Sequence, residues 1–314
     1  MHINKKFVCI GAGLVSLDIL MRGCSDQRVS YKLGGTCGNV MAILSYMGWQ
    51  SYPIARLDNT DYSKMLLDDV HNCGINARFI STNDGSTPVI VQRNIVDKYG
   101  NPSHKFEILN NSKGRFFLTY KSITKKQAET IIEELNFVPN VFFADRVSPA
   151  IVHLAKSFKE KGCLIFFEPS MKPSTHGFFE MVEVSDIIKF ANQRIEDVSF
   201  TKMFRDKLFI QTLGAEGLRF SLKGGKWFMC KPYINNNVVD TSGAGDWTTS
   251  AFLDYLHNHS LTISSLDEYD VISGLEYAQN FASQSCSYEG ARGMMVESFA
   301  EIKKKLIYIE NEEK

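Results

Sequence analysis

Short apolar runs of strand length alternate along the chain with longer stretches whose apolar positions recur at helical spacing. The runs fall at 7–10, 52–55, 141–144, 163–167, 186–189 and 207–212, and the longer stretches at 40–47, 62–73, 149–161 and 271–285. This alternation predicts βαβ units around a largely parallel sheet, an α/β fold. One region breaks the rhythm. From 87 to 120 the chain reads as antiparallel hairpin strands with a turn-rich centre at 98–102, and a second strand-like piece at 28–33 precedes a glycine pair. The two excursions, at about 14–34 and 86–120, are expected to form a small β lid over the carboxyl edge of the sheet, where α/β folds bind ligands. The whole of 1–314 then reads as one domain, with 303–314 a fraying helix end.

Composition narrows the class. A chain of 314 residues with 44% apolar residues can bury a full core. Lys and Arg balance Asp and Glu at 35 each, so no net charge draws the protein to nucleic acid or an anionic membrane. A small molecule is the expected partner. The seven cysteines are scattered without a CxxC pair, which reads as reduced thiols in a cytoplasmic protein. No apolar segment at the start suits a signal peptide or a membrane span.

The most telling stretch is 238–256, which reads as strand, glycine turn and helix. Gly243 and Gly245 flank Ala244, letting backbone amides converge at the positive end of a helix dipole, a place that binds anions. Asp246 sits at the mouth of that hole, where a site built only to hold phosphate would carry no carboxylate. It reads as a general base beside a phosphate.

Other motifs are weaker. Gly11-Ala12-Gly13-Leu14-Val15-Ser16 lacks the third glycine of a dinucleotide fingerprint, and no helical pattern follows it. Asp18, just past a strand end, suits either a turn or the binding of hydroxyls. Gly34, Gly35 and Gly38 open a helix and permit close backbone approach, with Asn39 offering donor and acceptor. Around Thr212, Gly214 and Gly217 the glycines suit a nucleotide lying against the backbone, and equally a hairpin turn. No P-loop sequence exists, so phosphoryl transfer would depend on the hole at Gly243–Gly245. The histidines at 71, 104, 153 and 176 lack partners at metal or triad spacing. Arg93 and the Asp145-Arg146 pair lie near strand ends and read as substrate contacts or surface ion pairs.

In their order these pieces resemble the ribokinase-like (PfkB) carbohydrate kinases, from residue 7 to about 293. The block Gly34, Gly35, Asn39 resembles the N-terminal signature of that family, and Asp240-Thr241-Ser242-Gly243-Ala244-Gly245-Asp246 matches its DTxGAGD signature in full. The resemblance implies a three-layer fold, a mostly parallel central sheet flanked by helices with a small β lid. It implies ATP-dependent phosphorylation of a hydroxyl, primary by expectation, on a sugar or sugar-like molecule. Asp246 would be the base and Gly243, Ala244 and Gly245 the phosphoryl cradle. Asp18, Gly34, Gly35 and Asn39 would bind the sugar. Asn192, Thr212, Gly214 and Gly217 would border ATP, with Gln279 facing the adenine and Asn280 next to it. Asp240, Ser242 and the loop from Ser285 to Gly290 would be the candidates for binding potassium. The family's NxxE motif begins at Asn192, but its glutamate position holds Ile195, with Glu196 one step late to serve the Mg2+ network. The turn after 52–55 reads Arg56-Leu57-Asp58-Asn59-Thr60 in place of a GDD-like turn. These two departures motivate a second reading, a catalytically weak sugar or nucleotide sensor on the kinase fold. An exposed lid edge would suit a homodimer.

Overall fold

The structure, a computed structural model, describes residues 7–22, 28–96, 102–108, 120–173 and 175–312. Of the hairpin region expected at 87–120, residues 97–101 and 109–119 lie outside them. The first strands are β1 (Val8–Ala12), β2 (Ser16–Arg22) and β3 (Arg28–Gly34), followed by helix α1 (Gly35–Tyr46), β4 (Gln50–Arg56), α2 (Asp61–Asn72) and the short β5 (Ile80–Ser81). Next come β6 (Val89–Val96), β7 (Pro102–Ile108), α3 (Lys125–Glu134), β8 (Val141–Ala144), α4 (Pro149–Glu160), β9 (Leu164–Phe167), α5 (Phe178–Val184), β10 (Ile187–Ala191) and β11 (Leu208–Thr212). The chain continues through β12 (Leu218–Leu222), β13 (Trp227–Cys230), α6 (Ala244–Asn258), α7 (Glu268–Ser285) and α8 (Phe299–Glu312).

Nine strands form one sheet in the order β13-β12-β11-β10-β9-β8-β1-β4-β5. It is parallel from β5 to β11, and β12 and β13 add antiparallel to the edge. The central strands are apolar on both faces because both faces are covered. In β8, Val141 and Phe143 enter one core while Phe142 and Ala144 enter the other. Residues of α1, α2, α6 and α7 fill the first core, and residues of α3, α4 and α5 fill the second, giving three layers. Trp247 of α6 is fully buried in the first.

The two excursions pair with each other. They form a separate four-stranded sheet in the order β3-β2-β6-β7, with β2 parallel to β6 and antiparallel to β3. Asp18 therefore lies inside β2, opposite Lys32 and Ile90, and not past a strand end as its sequence context suggests. The β strand expected at 238–239 is also absent. Val238 and Val239 are exposed, and the amides of Val239 and Asp240 both donate to the carbonyl of Cys286 beyond α7, which occupies the groups a sheet partner would need. Six cysteines are free among the described residues, and no described helix is long and apolar enough to cross a membrane.

Candidate active site

Asp246 occupies the first turn of α6, whose N-cap, Gly243, is in the left-handed conformation at φ 79°. Only glycine fits there: a Cβ on Gly243 would lie 2.4 Å from the Cβ of Ala291. The Asp246 side chain is buried, and its Oδ2 accepts a hydrogen bond of 2.8 Å from Asn39 Nδ2 on α1. Burial pushes its pKa well above the usual carboxylate range, and nearby Glu168 adds to the push. The Asn39 hydrogen bond and the Lys189 ammonium pull the other way.

Beneath α6 lies an ion pair that the sequence reading passed over. Lys189 of β10 donates to Glu168 at 2.7 Å and to the carbonyl of Gly245 at 3.1 Å, while Thr249 donates to the other Glu168 oxygen at 2.7 Å. These bonds fasten the first turns of α6 to the middle of β10 and to the residue after β9. The signal was a charged residue ending or interrupting an apolar strand run, at 168 and 189. Of the two readings for Asp145, a substrate contact or half of a surface ion pair, the surface position fails. Asp145 is fully buried after β8, accepts from Leu14 N at 2.9 Å, and pairs with Arg146, which also donates to Ser170. Burial raises the Asp145 pKa to about 6, against the pull of Arg146 and the Leu14 amide.

Asp18 reaches the same region from the small sheet. Ser16 Oγ donates to it at 2.7 Å, and Gly34 packs so closely that a Cβ there would lie 1.9 Å from the carboxyl carbon. Gly35, at φ 74°, passes under the carbonyl of Leu14. Burial lifts the Asp18 pKa to about 6 although the Ser16 hydroxyl, Arg292 and the Gly35 amide favour the ionised form. Asp18, Lys32, Asn39 and Gln92 line a cavity whose far wall is the Gly290-Ala291-Arg292 segment. Arg292, also missed in the sequence, is buried and pairs with Asp69, which accepts from Leu33 N at 2.6 Å.

Asp240 lies at the other end of the glycine run. Its Oδ1 accepts from Ser242 N at 2.9 Å and its Oδ2 from Gly290 N at 2.9 Å and Gln92 Nε2 at 2.8 Å. Ser242 Oγ is buried without a hydrogen-bond partner.

The residues read as bordering a nucleotide fall into a second group. Thr212 ends β11 and its carbonyl accepts from Asn192 N at 3.0 Å. Gly214 and Gly217 shape the hairpin from β11 into β12, with Leu213 N donating to the Gly217 carbonyl at 2.8 Å. A Cβ on Gly217 would lie 2.5 Å from the carbonyl of Cys230, and the adjacent Lys231 carbonyl accepts from Gln279 of α7 at 3.1 Å. The hairpin and α7 thus meet at 230–231. Asn280 is buried with its Nδ2 unpartnered. Ile195 is buried, whereas Glu196 is exposed on the turn after β10. Among the described residues no three His, Cys, Asp or Glu side chains cluster as a metal cage.

Together the doubly covered parallel sheet, the glycine-capped helix bearing a buried acid and the separate four-stranded sheet define an α/β fold of the ribokinase type. The description "pfkB family carbohydrate kinase" matches residues 5–298, and the chain belongs to that family. The probable fructokinase-6, chloroplastic, of Arabidopsis thaliana is 25% identical over 90% of this chain and 78% of its own. Among solved structures, a fructokinase from Vibrio cholerae O395 aligns at a TM-score of 0.70 and 14% identity, covering 96% of this chain and 99% of that one. A 2-dehydro-3-deoxygluconokinase from Thermotoga maritima aligns at 0.73 and 15% over 96% and 99%.

Proposed function

We propose that this protein transfers the γ-phosphoryl group of ATP to a hydroxyl, most simply a primary one, of a sugar or sugar-like molecule. The observation that carries the reading is the buried Asp246 carboxylate at the N-terminus of α6, held by Asn39 beside the cavity that Asp18 lines. Asp18 and Asn39 would accept and donate hydrogen bonds to sugar hydroxyls. The small sheet would act as a lid that excludes water and suppresses ATP hydrolysis. Asp246 would take the proton of the reacting hydroxyl as its oxygen attacks the γ-phosphorus and ADP leaves. A raised pKa suits a base that must hold that proton near neutral pH. The first turn of α6 offers amide N–H groups and the positive end of its dipole to the transferring charge.

ATP would lie along the second group, with Thr212, Gly214 and Gly217 against its ribose and phosphates and Gln279 and Asn280 toward the base. Magnesium would be a companion of the nucleotide phosphates, with Asn192 and Glu196 toward it, and would neutralise phosphate charge there. The unpartnered Ser242 Oγ beside Asp240 suits a potassium ion, a hard cation that takes oxygen donors. The solved relatives include a fructokinase bound to fructose, ADP and potassium. A neutral hexose such as fructose is the first acceptor to try. Subunit pairing through the edge strand β3 or β7 of the lid is proposed, and sedimentation would detect it.

An ADP-release screen over sugars, sugar acids and nucleosides, with magnesium and potassium present, tests the reading. Activity with a sugar that disappears in Asp246→Asn supports it, and activity that survives that change sinks it. The buried Ile195 at the expected glutamate position favours the sensor as the second reading. Calorimetry showing sugar and ATP binding without ADP formation across the screen would establish the sensor instead.

A further inference from the structure

We infer that Gln92 is the latch of the lid, a positioning residue that ties closure over the sugar cavity to the loop carrying the glycine run. The inference rests on the reading of the small sheet as a lid. Gln92 sits on β6, four residues past Pro88, whose carbonyl accepts from Leu17 N of β2 at 2.8 Å. Its side chain is 5% exposed and donates to Asp240 Oδ2 at 2.8 Å, across 148 residues of sequence. The hydrogen bond crosses from the small sheet to the segment before α6.

Position and chemistry make this contact more than packing. Two other fastenings of the small sheet among the described residues lie where it joins the body. Asp58 accepts from Thr87 N and Oγ1 at the entry to β6, and Asp69 accepts from Leu33 N near the exit of β3. Gln92 instead lines the cavity with Asp18 and Asn39, facing Gly290 and Arg292, so its bond spans the cavity wall. Its acceptor also organises the glycine loop, because Asp240 receives Ser242 N through one oxygen and Gly290 N through the other. A lid that swings away must break a buried hydrogen bond to a carboxylate, one of the stronger kinds. A closing lid therefore meets the carboxylate that shapes the anion loop.

Amide hydrogen exchange of the full-length, ligand-free protein tests the latch without any substrate. Gln92→Leu keeps the apolar bulk and removes the donor. It should speed exchange of β2 and β6 roughly 10-fold, with α4 and β8 unchanged. Gln92→Met supplies a second readout, because it matches the length of the side chain and removes the donor. A packing role predicts exchange like the parent's, and the latch predicts the same roughly 10-fold speeding of β2 and β6. Lid exchange unchanged in either variant overturns the latch. Neither outcome bears on the base, which the Asp246→Asn turnover assay reads separately.

Discussion

Asn39 and Asp246, 207 residues apart in the chain, meet through a 2.8 Å hydrogen bond that joins the second turn of α1 to the first turn of α6. Each helix begins where a glycine in the left-handed conformation turns the chain, at Gly35 and Gly243. The bond sets the direction of the carboxylate and favours its ionised form. Two glycine motifs thus become one site, and the consequences are measurable.

Replacing the carboxylate should separate chemistry from binding. Asp246→Asn is expected to lower turnover about 100-fold or more while ATP affinity measured by calorimetry stays within a few-fold. Asn39→Ala should act on the same group more gently. Without the amide donor the Asp246 pKa rises, so the acidic limb of the kcat profile moves to higher pH.

Asp18 should trade stability against binding. Its folded pKa of about 6 lies above the ordinary 3.8, so between those pH values the folded protein holds more protons than the unfolded chain. Stability from this group therefore falls as pH rises from about 4 through 6. Asp18→Asn is expected to raise Tm at pH 7.5, with the gain vanishing near pH 4. The same change should raise KM for the sugar, and the parent KM should climb below about pH 6 as the acceptor takes a proton.

Asp58 has the opposite sign. Burial disfavours its charge, but donors from Ser63, Thr60 and Thr87 outweigh that and hold its pKa at about 2. Its contribution is present above about pH 4 and lost as pH falls toward 2. Asp58→Ala should lower Tm at neutral pH and leave little difference from the parent at pH 2, by thermal melts of both proteins.

The two glycines beside Ala244 should differ in tolerance. Gly243→Ala combines positive φ with a 2.4 Å clash and is expected to cost about 2 kcal/mol or more in denaturant unfolding. A Cβ on Gly245 meets nothing closer than Lys189 Nζ at 3.5 Å, so Gly245→Ala should stay within about 1 kcal/mol.

Much of the fold was legible because apolar periodicity depends on local rules. The run at 141–144 became β8 with the same bounds, and 149–161 became α4 behind its Ser148 cap and Pro149. The glycine run was legible for a similar reason, since a left-handed turn into a helix is written in adjacent residues. The strand expected at 238–239 failed because β propensity says nothing of a partner, and Cys286 claimed those amides.

Chain order alone thus determined the α/β alternation, the family signature and the presence of an acid at a helix N-terminus. Only the tertiary structure decided what surrounds that acid. The Glu168–Lys189 pair, the burial of Asp145, the Arg292–Asp69 bridge and the reach of Gln92 to Asp240 join segments from distant strands and helices. Burial and hydrogen bonding between such segments follow from packing, and a side chain's electrostatic role follows from them.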